Sequence, residues 1–69
     1  MITVTYESLK QLRKLHRYSR RALSIASGIS QSHIASIERG DKQPTMLVVC
    51  RLAHAIGVKP EELYQCEVS

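Results

Sequence analysis

The stretch GISQSHIASIERG, residues 28–40, decides how this chain folds. A glycine stands at each end. Ile34 and Ile37 lie about one turn apart, so a short helix over 31–39 has one apolar side. The opposite side carries Ser32, Ala35, Ser36 and Arg39, with Gln31 leading. Solvated helix faces ordinarily use Glu and Lys, which are good helix formers. Small hydrogen-bonding groups in their place, in a chain of net charge +4, ask for another purpose.

Upstream, only Gly28, Ile29 and Ser30 separate this helix from another over 20–27, which Ser19 caps. So short a connection sends the second helix off at a steep angle. Gly28 supplies a permissive backbone, Ile29 turns inward, and Ser30 caps the second helix. This is helix-turn-helix geometry, in which the second helix can enter a DNA major groove with its N-terminal residues forward.

The rest of the punctuation is equally regular. Gly28, Gly40 and Gly57 sit where helices end, and Pro44 and Pro60 sit where helices begin. Five helices are predicted, over 6–17, 20–27, 31–39, 46–56 and 60–65. Thr5 is the expected cap of the first, whose inner stripe is Leu9, Leu12 and Leu15 or His16; Thr45 caps the fourth. A hydrophobic staple recurs at four starts, pairing Val4 with Leu9, Tyr18 with Leu23, Ile29 with Ile34 and Val58 with Leu63. In the fourth helix Met46, Val49, Cys50, Ala53 and Ile56 form the expected stripe, with Leu52 at its margin. ITVT alternates and is compatible with a short strand beside CEVS, although two such strands alone are marginal. The expected fold is all-α: one compact five-helix domain over residues 1–69.

Composition narrows the function. Without Trp or Phe, the core must come from Leu, Ile, Val and Ala. No apolar run approaches the ~20 residues of a membrane span. MITVTYESLK lacks the basic start and apolar core of a signal peptide, so a cytoplasmic location is expected. Cys50 and Cys66 are then expected to stay reduced, Cys50 as a small core residue. His16, His33 and His54 are scattered and there is no CxxC pair, so no metal, cofactor or small-molecule ligand is expected. No nucleophile–base arrangement, phosphate loop or paired carboxylate spacing suggests an enzyme. Lys10, Arg13, Lys14, Arg17, Arg20 and Arg21 fall in twelve residues without an acid, whereas Glu61, Glu62 and Glu67 make the C-terminal end acidic. A basic half suits a polyanion partner; a merely soluble basic helix fits the charge equally well.

The run SRRALSIASGISQSHIASIERGDKQPTMLVVCRLAHAIGVKPEELY resembles the lambda-repressor-like, Cro-type helix-turn-helix regulators, also called the xenobiotic-response-element family. With LKQLRKLHRYS the resemblance covers about residues 8–64. Its most specific parts are SGIS, IxxIERG, the proline after them and RLAHAIGV, in that order and spacing. The resemblance implies a DNA-binding transcription regulator, in expectation a repressor acting as a homodimer on a palindromic operator in double-stranded DNA. It implies base reading by Gln31, Ser32 and Ser36, with His33 beside them reaching a base or a phosphate. Phosphate contacts are implied for Arg20, Arg39, Lys42 and Gln43, and a semi-buried ion pair for Arg13 and Glu38. The chain also departs from the family pattern. Ser24 replaces the usual Ala, Ile25 occupies a usually polar site, and Leu47 and Val48 lie off the inner stripe of the fourth helix. Exposed apolar neighbours suggest an interface, so Leu47 and Val48 are the dimer-interface candidates. An alternative keeps the fold but makes it an interaction module for a partner regulator or toxin, with DNA binding secondary.

Overall fold

Ten buried side chains organise the chain: Leu9, Leu23, Ile29, Ile34, Ile37, Val49, Leu52, Ala53, Ile56 and Leu63. None is aromatic; the three tyrosines, Tyr6, Tyr18 and Tyr64, are half-buried and pack against this cluster. The computed structural model describes residues 2–68, and the side chains of residues 4–66. In chain order the elements are β1 (Ile2–Thr5), α1 (Glu7–Leu15), α2 (Arg20–Ser27), α3 (Gln31–Arg39), α4 (Met46–Ile56), one 3-10 turn (Pro60–Leu63) and β2 (Gln65–Val68). α2 packs on both α3 and α4, while α1 packs on α3 and the 3-10 turn. Among the described residues, no helix is long and apolar enough to cross a membrane.

Three helices begin and end where their capping residues dictate. Ser19, Ser30 and Thr45 accept hydrogen bonds from the backbone N–H of Ala22, His33 and Val48 at 3.0, 3.2 and 3.3 Å. Each bond satisfies a donor that the first helical turn otherwise leaves open, and such a cap contributes about 1 kcal/mol. Their C-terminal ends fall on Gly28, Gly40 and Gly57, all left-handed.

Elsewhere tertiary structure overrides the local signals. α1 is shorter than the expected 6–17 span. Thr5 does not cap it, because Thr5 pairs with Gln65 in an antiparallel sheet whose register runs from Ile2↔Val68 to Thr5↔Gln65. Tyr6 takes the cap position without a side-chain bond. At the other end Arg17 turns left-handed, which stops the helix. Leu15 and His16 therefore lie outside the core, with Leu15 74% exposed; Leu9, Leu12 and Arg13 form the inner side. The fifth helix is only the 3-10 turn, after which the chain straightens to become β2. The fold is mostly helical, as expected; the helix count is corrected from five to four α-helices and a 3-10 turn, and a two-stranded sheet joins the ends of the described chain. Tyr6 and Tyr64 stand beside the sheet, ring centroids 6.1 Å apart and tilted by 58°. Burial first, then the neighbouring Tyr64 and Cys66, pushes the Tyr6 phenol above its ordinary pKa.

α4 has the expected ends but a rotated face. Leu52, placed at the margin by periodicity, is fully buried; Met46 and Cys50, placed inside, are exposed. The inward stripe is Val49, Leu52, Ala53 and Ile56. Leu52→Ala should therefore cost about 2–5 kcal/mol by cavity formation. Cys50→Ala should stay within about 0.5 kcal/mol. Urea unfolding of both variants checks the phase of the helix directly.

Candidate nucleic-acid interface

The candidate interface begins in the turn between α2 and α3. Ser27 is buried; its Oγ donates to the Leu23 carbonyl at 2.7 Å and accepts from the Ile29 N–H at 3.2 Å. One hydroxyl thus joins the end of α2 to the turn residue that plunges into the core. Sequence reasoning missed Ser27. Its signal was a small hydroxyl in the last turn of a helix, just before a three-residue connection whose inner N–H needs a partner. Gly28 adopts φ 76°, a conformation in which a Cβ is costly, and donates its N–H to the Ser24 carbonyl at 2.9 Å. Ile29, Ile34 and Ile37 then anchor α3 by burial.

A second constraint sets its orientation. The Glu38 side chain is only 2% exposed. Its Oε2 accepts from Arg13 Nε at 2.7 Å, and its Oε1 accepts from Arg20 Nε at 2.9 Å and from Arg13 Nη2 at 3.4 Å. Arg13 Nη1 also donates to the Tyr18 carbonyl at 2.8 Å. One carboxylate therefore ties α3 to both α1 and α2. The structure places the Arg13–Glu38 pair as the resemblance implied, and adds Arg20 to it. Burial alone would push the Glu38 carboxyl up; hydrogen bonds and charge from Arg13 and Arg20 outweigh this and hold it below the usual carboxylate range.

Arg20 consequently has two environments. Its Nε is committed to Glu38, while the side chain as a whole is 45% exposed. Gln31 and Ser32 are exposed at the leading end of α3, whereas His33 and Ser36 are half-buried. Beyond α3, Arg39 pairs with Asp41 at 2.8 Å, both well exposed, so the pair is weak and readily exchanged. Lys42 and Gln43 come next, also exposed. An uncharged hydrogen-bonding face is thus flanked by cations on a support fixed by burial and by an ion triad.

The two interface candidates separate. Leu47 is outward-facing, together with Met46, both more than 60% exposed. Val48 is half-buried and packs against the core, so it is not a free surface residue. Ile25, like Leu15, is strongly exposed.

Residues 9–63 match the family model described as Helix-turn-helix. The chain is 30% identical over 59 residues to YgzD, an HTH-type transcriptional regulator of Bacillus subtilis, covering 86% of this chain and 89% of that protein. It is 36% identical over 53 residues to y4dJ, an HTH-type transcriptional regulator of Sinorhizobium fredii, covering 77% and 69%. The crystal structure of the restriction-modification controller protein C.AhdI from Aeromonas hydrophila aligns with a TM-score of 0.79 at 30% identity, over 83% of this chain and 86% of that one.

Glu38→Ala should lower stability at pH 7 by about 3–5 kcal/mol, because it leaves Arg13 buried without its partner. The folded-state pKa of Glu38 is depressed, so its contribution is complete above the unfolded carboxylate pKa of ~4.3 and is lost as pH falls through the lower folded value. Denaturant midpoints of wild type and Glu38→Gln, compared from pH 7 downward, should converge only in that acid window.

Proposed function

This chain belongs to the helix-turn-helix family of DNA-binding transcription regulators, and we propose that it acts in the cytoplasm as a sequence-specific repressor, a homodimer on a palindromic operator in double-stranded DNA. The observation that carries this reading is the face of α3: exposed Gln31 and Ser32, without charge, on a helix fixed to α1 and α2 through Glu38. A charged face would favour phosphates at every site, whereas amides and hydroxyls can distinguish base edges. Gln31 pairs with adenine through its amide, and Ser32 and Ser36 contact neighbouring base edges. His33 reaches a base or a phosphate. Arg20, Arg39, Lys42 and Gln43 hold the backbone, Arg39 exchanging Asp41 for a phosphate.

One recognition helix reads only a few base pairs, so the dimer supplies a second copy at a half-site about 34 Å away. Met46 and Leu47 form its apolar contact, which gives their exposure a purpose. The same exposed pair is what favours the second reading, an interaction module whose partner is another regulator or a toxin.

Selection from a random duplex pool tests these readings together. The expected product is a palindrome with a fixed half-site spacing; an unenriched pool would leave the interaction module standing. Gln31→Ala should relax one position per half-site, at about 1–3 kcal/mol. Leu47→Glu should convert a sedimenting dimer to monomer, and an unchanged mass would remove that interface.

A further inference from the structure

α1 ends in an unusual way. The Tyr18 N–H donates to the Arg13 carbonyl at 2.9 Å, and the Arg17 N–H to the Lys14 carbonyl at 3.0 Å. The chain can make these two bonds only if residue 17 turns left-handed. α3 closes with the same pair, Asp41 N–H to Ser36 and Gly40 N–H to Ile37, and α4 closes with Val58 N–H to Ala53. There the left-handed position is glycine, as it is at the end of α2. Only α1 places a side chain on it: Arg17, at φ 62°, is the one non-glycine residue of positive φ among the described residues. An L side chain in this conformation carries a steric cost that glycine would remove.

The backbone bonds repay the turn, but among the described residues nothing in the fold calls for a side chain there rather than glycine. Arg17 is exposed, and its side chain makes no hydrogen bond or ion pair among the described residues. Its neighbours show what a cation here could do. Arg17 lies three residues before Arg20, which opens α2 and has its Nε already held by Glu38. The Ser19 cap that begins α2 lies between them. Lys14 and Lys10 lie one and two turns before Arg17 and are also exposed, so exposed cations recur from α1 to the start of α2 with no acid between them in the chain.

We propose that Arg17 is a DNA-phosphate contact, adjacent to Arg20, and that this role explains why α1 ends on a strained arginine rather than a glycine. The inference rests on the DNA-binding reading above and extends the backbone contact from α2 to the end of α1. It adds no sequence preference, since a guanidinium on a phosphate reads no base edge.

The test is a variant with opposite effects on the two properties. Arg17→Gly should raise the Tm by roughly 3–6 °C, by relieving the left-handed side chain. It should also weaken binding about tenfold on specific and random duplexes alike, as expected for one charge-assisted hydrogen bond lost. The slope of log affinity against log salt should fall by about one per bound copy. Arg17→Lys should keep the slope. Lys59→Gln, an exposed cation beside the acidic 3-10 turn, serves as the control for net charge and should leave affinity unchanged. If Arg17→Gly gains stability and binds duplex with wild-type affinity and slope, or if Lys59→Gln weakens binding equally, the proposal is overturned while the DNA reading stands. If the wild-type protein shows no salt-dependent duplex binding, the DNA reading fails and this inference with it.

Discussion

A single carboxylate orients this molecule. Glu38 is almost fully enclosed, and both its oxygens are taken by guanidinium groups from the two preceding helices. Aliphatic contacts alone could not impose this orientation. Leucine and isoleucine attract without direction, so a core of ten such small and medium side chains tolerates rotation of a nine-residue helix. Hydrogen bonds of 2.7 and 2.9 Å to a shared acceptor do not. The arrangement is acceptable energetically because the desolvated carboxylate meets two cations, and Arg13 meets the Tyr18 carbonyl as well. Among the described residues, no buried side-chain nitrogen or oxygen lacks a partner. Such a network contributes less to stability than its Coulomb attraction suggests, and its main effect here is a fixed geometry.

That geometry gives meaning to the outer face of α3. Gln31 and Ser32 can present their polar atoms reproducibly only if the helix beneath them does not roll. Ser27 adds a second, smaller restraint at the start of the helix, and Ser30 a third. Cations lie at its margins: Arg20 at the head of α2, Arg39 and Lys42 at and after the end of α3. In the proposed function, choice and attraction therefore fall to different side chains. Arg20 stands between the two, since its Nε braces Glu38 while its side chain as a whole stays about half exposed. In the proposed function, binding and fold integrity are coupled through that residue.

How much of this was legible in the sequence depends on the range of each interaction. α2, α3 and α4 have the boundaries that Ser19, Ser30, Thr45 and their three glycines predict. A cap bond spans three residues, so it is encoded where it acts. The phase of α4 was not legible. In MLVVCRLAHAI apolar residues occupy most positions, and periodicity cannot choose between a stripe through Cys50 and one through Leu52 when both sides are apolar. Packing against α2 and the 3-10 turn made the choice. The start of α1 failed for a related reason. Thr5 is a sound local cap, but pairing with Gln65, far along the chain, claimed it first.

By itself, then, the sequence determined the turn between α2 and α3, the three isoleucines that anchor α3, and the uncharged face they leave outward. These depend on contacts within a turn or two and on helical period, both of which are written into the order of residues. Only the tertiary structure decided that Arg20 shares Glu38 with Arg13, that Leu52 rather than Cys50 enters the core, and that β1 and β2 pair as strands. Each of these joins groups from separate elements. Their distance depends on how the helices pack, and no local pattern of residues contains that distance.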